Sequence, residues 1–428
     1  MNRQLTDTLV LRAAKTEHDV TRLITFTALV HSNTAAPDPR LGEVVRTMLA
    51  PGAHPTMTRD DFIFVEDTAS GVVVSSMCLI PQTWTYAGIP FGVGRPELVG
   101  TLAEYRRQGL VRAQFEEAHQ RCAALHLPVQ AITGIAYFYR QFGYEYALEL
   151  GGGWVIPLAT LPKTPESVLS LRPATADDLP TLQAFYDSFT KRYLVACLRP
   201  AEHWRYLLGL SDGNIDKQWF YLIIRQGAVV GYVDILKETQ ADRARTTELA
   251  FNGSMPELST WLVPRLRDEI AVLHADAIPA VDYLYLNLGG FHPVFAYLAP
   301  FLPFKQPSYA WYIRVPDPAG FVMLIAPALV RRIAAGALAG LTQTLTLDFY
   351  QNGLRMEFEE GRLTAAENLA AGHAGDASFP PLVFLQLLFG YRTAASLSRV
   401  YPDVRLGQSG PLLEALFPRR RSCVRPLM

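Results

Sequence analysis

Cysteine is scarce in this chain. Its four residues, Cys78, Cys122, Cys197 and Cys423, stand far apart with no Cys-x-x-Cys pair. That spacing offers neither a zinc site nor a disulfide framework, and it fits the reduced thiols of a cytoplasmic protein. Long apolar runs are also missing. The longest, Phe321–Val330, covers ten residues before Arg331 and Arg332, about half of the ~20 a membrane helix needs. No membrane partner is therefore expected. Residues 1–7 are polar and lead straight into a strand, without the apolar stretch of a signal peptide. Excess charge of either sign is absent, with 39 Lys plus Arg against 40 Asp plus Glu, which leaves no electrostatic argument for nucleic acid. The nine histidines are scattered, and no metal site is expected. Half of the 428 residues are hydrophobic, enough for several cores in a chain too long for one.

The most informative segment is Glu97–Arg112. It reads as a strand, a short turn with Gly109 where a helix starts, and an amphipathic helix. That helix puts Val111, Phe115, Ala118, Cys122 and Leu125 on one stripe, with Arg112, Glu116, Glu117 and Arg121 outside it. A helix start leaves its first N–H groups unpaired and carries partial positive charge, so it attracts anions. Arg106 and Arg107 add full charges, and Gly109 removes a Cβ from the approach. A pyrophosphate suits such a turn; an ordinary strand-to-helix turn with two surface arginines is the alternative. A helix and a strand later comes Gly134–Tyr146, with Tyr139 three residues before Phe142-Gly143-Tyr144.

The chain also repeats itself weakly. Residues 11–23 and 171–182 each end a strand in Leu-Arg and open a helix with a Thr-x-x-Asp box, Thr16 with Asp19 and Thr175 with Asp178. A hairpin pattern follows each, at 62–76 and at 219–231. The second copy lacks paired arginines and any Arg-x-x-Gly where the anion turn should fall. Gly151–Pro165, rich in Gly and Pro, reads as the linker between copies, and a further boundary falls near 315–318. Beyond it, Thr344–Glu359 reads as a hairpin turning on Asn352-Gly353, with Leu354, Met356 and Phe358 inward, followed by an apolar helix opened by Pro380-Pro381.

Arg106-x-x-Gly109-x-Val111 followed by Tyr139-x-x-Phe142-Gly143-Tyr144 resembles the GNAT acetyltransferase superfamily, although Val111 stands where that family prefers Gly or Ala. The last segment resembles sterol carrier protein-2-like domains. The order of segments resembles the enhanced intracellular survival acetyltransferases, and this resemblance implies a mixed α/β and α+β architecture. It comprises a catalytic GNAT domain at 1–150, a degenerate GNAT-like domain at 151–314, and a sterol-carrier-like α+β domain at 315–428. It implies acetyl coenzyme A as co-substrate and an amine acceptor, either a small aminoglycoside- or polyamine-like molecule or a protein lysine. A homo-oligomer, such as the relatives' hexamer, is also implied. By the same resemblance, Val99, Gly100 and Thr101 meet the pantetheine arm. Arg107, Gln108, Gly109, Leu110, Val111 and Arg112 surround the pyrophosphate, and Gly134 and Ile135 end the opposite strand. Tyr139 becomes the proton donor to the leaving thiolate. The general base becomes the terminal carboxylate of Met428, although the family's tails end in an aromatic residue; a frayed tail is the alternative. Two other functions remain open: a lipid or small-molecule carrier working through the last domain, and a non-catalytic acyl coenzyme A sensor.

Overall fold

The computed structural model describes residues 2–32, 36–209, 218–236, 242–276, 279–298 and 302–427. Its mixed α/β architecture is built on a nine-stranded sheet and three four-stranded sheets among the described residues. The large sheet runs from Asn2–Gln4 through Leu9–Ala13, Phe62–Asp67, Val72–Tyr86 and Ile89–Thr101 to Val129–Ile132. Tyr309–Arg314 comes next and Glu145–Leu150 last, while Val195–Cys197 adds onto Val72–Tyr86. Most neighbours are antiparallel, but Ile89–Thr101 and Val129–Ile132 run parallel and pair only at Val93 with Val129 and Gly94 with Gln130. Past Gly94 the two strands diverge. Helix Leu110–Ala124 buries Leu110, Phe115, Ala118 and Cys122. Gly94 permits this close packing, since a Cβ there would lie 2.3 Å from Cys122 Sγ.

The paired Thr-x-x-Asp segments build the same local structure. Thr16 and Asp19 form a reciprocal capping box at helix Glu17–Val30, and Thr175 and Asp178 form one just before helix Leu179–Thr190. In each, the strand arginine reaches the capping acid: Arg12 Nη1 donates to Asp19 at 3.0 Å, and Arg172 Nη1 donates to Asp178 at 2.9 Å. Apart from Val195–Cys197 and Tyr309–Arg314 in the large sheet, the second segment's strands divide between two small sheets. One orders Leu249–Phe251, Ala228–Leu236, Gln218–Arg225 and Leu169–Pro173. The other orders Arg243–Thr246, Tyr283–Leu286, Gly153–Pro157 and Phe304–Gln306.

The segments interlock in a way their order along the chain does not suggest. Tyr309–Arg314, at the end of the second segment, inserts between Val129–Ile132 and Glu145–Leu150 of the first. Trp84, Phe91 and Trp311 share one apolar core with Phe321, Leu345, Met356 and Leu387 of the last segment. That last segment holds the hairpin Gln343–Asp348 with Asn352–Glu359, and Leu354, Met356 and Phe358 are buried as their alternation implies. Its turn differs from expectation. Tyr350 takes the positive φ of 65° and Phe349 N–H bonds Asn352 O, while Asn352 and Gly353 already pair with Ala370 and Leu369. Glycine is needed at 353 for space, since a Cβ would meet His373 Nε2 at 2.2 Å and Leu347 O at 2.4 Å. No helix among the described residues is long and apolar enough to cross a membrane.

Asp19, the capping acid of helix Glu17–Val30, is buried with Arg12 and Arg22 beside it. Burial raises the carboxyl's pKa, but bonds from Arg12 and from the Lys15 and Thr16 N–H groups outweigh that and hold it well below its ordinary value. Asp19→Ala should cost about 2–3 kcal/mol through loss of the cap and of a buried pair, read as a lowered urea midpoint. Because the folded-state pKa is depressed, this stabilisation is present above the unfolded value of roughly 3.9 and fades as pH falls below it. The wild-type and Ala variants should therefore converge in stability on acidification; a gap that stays constant down to pH 2 would remove the ion pair as its cause.

Candidate active site

The site begins with the strand that loses its neighbour. Between Ser76, opposite Gly100, and Cys78, opposite Glu97, the register shifts, and Leu98 adopts a φ of 51°. This bulge turns the backbone of Leu98 and Val99 away from regular pairing on one edge, and divergence from Val129–Ile132 frees the other. The strand then passes through a short helical turn, Ala103–Tyr105, into the turn at Arg106–Gly109. Gly109 is the N-cap of the helix with φ 79° and ψ 4°, a left-handed conformation that costs a side-chain-bearing residue. A Cβ on Gly109 would meet nothing within 4 Å, so the helix start opens onto free space. Arg106 Nε donates to Thr101 O at 3.3 Å, tying the turn to the strand end.

Strand and helix start share a cavity of about 760 Å³. It brings together Val99, Gly100, Thr101, Arg107, Gly109, Leu110, Val111, Arg112, Ile135 and Tyr139. Two sequence-predicted residues fall outside its lining. Gln108 is exposed and bonds Glu104 O at 3.3 Å. Gly134, with φ 120°, is exposed, and a Cβ there would lie 3.5 Å from Tyr139 Oη. Residues that sequence reasoning missed also line the cavity: Val30 and His31 at the end of helix Glu17–Val30, with Tyr105, Phe138, Gln141 and Phe142. His31 stands against Gly100, and burial lowers its pKa while a hydrogen bond with the Leu98 backbone opposes that. No local pattern marks His31, because only the tertiary fold carries that helix end to Gly100. The missed Phe142 does belong to a quoted motif; it stacks on Phe115 at 4.4 Å and carries Arg112 over its ring at 5.3 Å.

Tyr139 is 5% exposed, enough to keep its ring in the core and its edge on the cavity. Tyr312 and Phe138 meet it edge-on at 5.4 and 5.2 Å. Burial first, then the nearby Glu97 and Tyr309, push its pKa up to about 12. It is therefore a neutral donor at physiological pH. Glu97 is raised by burial and pulled back by Arg95, with which it forms an ion pair. Arg95, 2% exposed, also donates to Leu427 O, as does Gln82 Nε2 at 3.0 Å. The chain's tail thus runs to the floor of the first sheet. Along its course, Cys423 N–H bonds Val195 O at 2.8 Å and Arg199 Nη2 donates to Arg425 O at 3.0 Å. Met428 lies outside the described residues. Among those described, no group of three or more His, Cys, Asp or Glu is placed to hold a metal ion.

Residues 13–147 match the family described as acetyltransferase (GNAT) domain. No curated protein matches the chain. Solved structures resemble it along nearly its whole length. A GCN5-related N-acetyltransferase from Anabaena variabilis is 15% identical with a TM-score of 0.64, covering 97% of this chain and 98% of its own. A probable N-acyltransferase from Enterococcus faecalis is 14% identical with a TM-score of 0.67, over 98% of this chain and all of its own. Eis1 from Mycobacterium abscessus is 16% identical with a TM-score of 0.57, over 97% and 99%. At such identities the likeness is one of fold. The family match places a GNAT acyltransferase domain on the segment that holds the cavity.

Gly109→Val forces a β-branched residue into a left-handed turn. It should destabilise the helix start by roughly 1–3 kcal/mol and raise the dissociation constant for coenzyme A at least tenfold, about 1.4 kcal/mol. Calorimetry that finds unchanged affinity in a folded variant would remove the turn from the coenzyme site.

Proposed function

We propose that the chain is an acetyl coenzyme A-dependent N-acetyltransferase that moves the acetyl group directly to the amine of a small molecule or a protein lysine. One observation carries this reading: a single cavity is lined by the half-unpaired strand Val99–Thr101, the helix start at Gly109–Arg112 and the buried neutral phenol of Tyr139. An amide-bearing pantetheine arm matches a strand edge with unpaired N–H and C=O groups. A pyrophosphate matches a helix start flanked by Arg107 and Arg112. A phenol that stays protonated suits a departing thiolate.

In the proposed reaction the amine nitrogen attacks the thioester carbonyl and the C–S bond breaks. The sulfur takes the proton of Tyr139, and the nitrogen gives up its own to a base. The terminal carboxylate of Met428 is the proposed base. What supports it is the course of the tail, whose Leu427 carbonyl is held by Arg95, itself paired with Glu97 near Tyr139. We further propose that 151–314 is a GNAT-like copy without chemistry and that 315–428 is a sterol-carrier-like domain. The matching capping boxes and strand arginines at 12–19 and 172–178 support the first, and the small sheet of Gln343–Ala370 with its buried helix supports the second. A cytoplasmic homo-oligomer, by analogy a hexamer, completes the proposal.

Thiol release from acetyl coenzyme A over a panel of amines tests the activity, and none with any amine would leave a coenzyme-binding protein without turnover. Tyr139→Phe keeps the ring and removes the hydroxyl. It should lower kcat by something like 10²-fold with coenzyme affinity nearly unchanged, whereas full turnover would make Tyr139 a core aromatic only. Deleting Pro426–Met428 shifts the terminal carboxylate by up to roughly 10 Å of extended chain. Activity should collapse at neutral pH and return in part at high pH, where the amine is already uncharged. A loss that is flat across pH would indicate a structural tail.

A further inference from the structure

The segment that carries Tyr139 to the cavity has little structure of its own. Gly134 and Tyr137 take positive φ angles of 120° and 60°, and Ile135 and Tyr137 are 63% and 67% exposed. A loop of this kind samples many conformations unless something outside it fixes its backbone. Here the restraint comes from 175 and 177 residues further along the chain, from strand Tyr309–Arg314. Tyr309 Oη donates to Gly134 O at 3.1 Å, and Tyr312 Oη donates to Ile135 O at 3.0 Å. Tyr146 completes the cluster. Its hydroxyl accepts from Tyr137 N–H at 3.2 Å and lies 2.6 Å from Tyr312 Oη and 2.8 Å from Tyr309 Oη. The rings of Tyr146 and Tyr312 stack at 4.1 Å.

These bonds bear on Tyr139 from two directions. Gly134, whose carbonyl Tyr309 holds, is the residue beside the Tyr139 hydroxyl. Tyr312, which holds Ile135, also meets the Tyr139 ring edge-on at 5.4 Å. Tyr309 and Tyr312 are three apart on a strand with a register shift between Trp311 and Tyr312, and that irregularity lets both hydroxyls reach the same loop. Phe138 and Phe142 pack with Tyr139 in the same apolar cluster as Tyr312, and the hydroxyl bonds add a direct hold on the loop carbonyls.

We infer that Tyr309 and Tyr312 are positioning residues for acyl transfer: their hydroxyls clamp the Gly134 and Ile135 carbonyls and thereby set the hydroxyl of Tyr139 over the thioester sulfur. The inference rests on Tyr139 being the proton donor. A proton donor works only at hydrogen-bond reach of its target, and displacement of about 1 Å can cost 10²-fold. Only two residues separate the strand that bears the clamp from Phe304–Gln306, which pairs with Gly153–Pro157 in a sheet of the second segment. Docking of that segment is thus tied to the geometry of the acid.

The test uses the full chain with Tyr312→Phe, Tyr309→Phe and the double variant, each alone and combined with Tyr139→Phe. The phenylalanines keep ring volume and stacking, and Tyr309 is half-exposed, so its variant serves if Tyr312→Phe folds poorly. The double variant should lower kcat about tenfold or more, with coenzyme affinity by calorimetry unchanged. In the Tyr139→Phe background the same two changes should cost nothing further, because the group they position is already gone. A merely structural role predicts the opposite, namely losses that add in full, and that result would overturn the inference. An unaltered kcat in the double variant, beside a crippled Tyr139→Phe, would overturn it while leaving the donor in place. Full turnover in Tyr139→Phe would overturn both the donor assignment and the clamp.

Discussion

The site depends on two parallel strands that stop pairing. Ile89–Thr101 stays bonded to Val72–Tyr86 through Thr101, but its contact with Val129–Ile132 ends at Gly94. Half-buried backbone groups left without partners are costly unless water or a ligand satisfies them. The divergence therefore creates a shaped, hydrogen-bonding edge that a second strand does not fill. Its two ends are fixed by different means. At the closed end, Gly92 and Gly94 let Leu127 and Cys122 press against the strand, which keeps helix Leu110–Ala124 tight where the strands still pair. At the open end, the bulge at Leu98 and the left-handed Gly109 turn the chain so that the same helix starts at the mouth of the gap. Glycine serves close packing at one end and backbone conformation at the other.

The gap and the residues that line it lie within the first segment, but what braces them does not. Tyr309–Arg314 completes the sheet beyond Val129–Ile132, and the tail from Cys423 to Leu427 lies along Val195–Cys197 and under Arg95. Leu427 buries itself among Leu182, Trp204 and Phe220 of the second segment. The buried Arg199 bonds both Glu248 of that segment and the Arg425 carbonyl of the tail. A buried cation whose partners come from two segments gives either one a strong reason to stay docked, since removing one partner leaves the charge unpaired. The second segment, which lacks the arginine turn, thus still fixes elements that the cavity needs.

How much of this was legible beforehand follows from the range of each interaction. The strand, turn and helix around Gly109 were legible because their signals are local: an apolar stripe at helical spacing, a glycine at the cap, arginines beside it. The capping boxes at Thr16 and Thr175 were legible for the same reason. The turn of the last hairpin was misplaced because Asn352-Gly353 has the composition of a turn, while its glycine is required by His373, twenty residues away. The insertion of Tyr309–Arg314 and the approach of His31 to Gly100 leave no periodic mark at all. Tyr146 lies more than 160 residues from Tyr309 and Tyr312 in the sequence, and only the fold assembles the three into a hydroxyl cluster around Gly134–Tyr137. Gln108 and Gly134 are motif positions outside the cavity lining: both are exposed, and Gly134 lies beside the Tyr139 hydroxyl.

The protonation states around the cavity bear on how acyl groups can move there. Cys78 is the thiol nearest the strand edge, its Sγ 3.6 Å from Glu97 O. Complete burial, with Glu97 beside it, raises its pKa far above the ordinary thiol range, and Arg95 offsets only part of that. A thiol so held is not a nucleophile, because attack on a thioester needs the thiolate. Cys122 is likewise raised, to about 12, by burial. Both sulfurs therefore act as small apolar fillers, and Cys122 is the atom that Gly94 makes room for. The same burial that silences the thiols preserves the proton on Tyr139. One physical cause, the desolvation of this half of the sheet, holds the thiols and the phenol protonated alike, which accords with the proposed direct transfer.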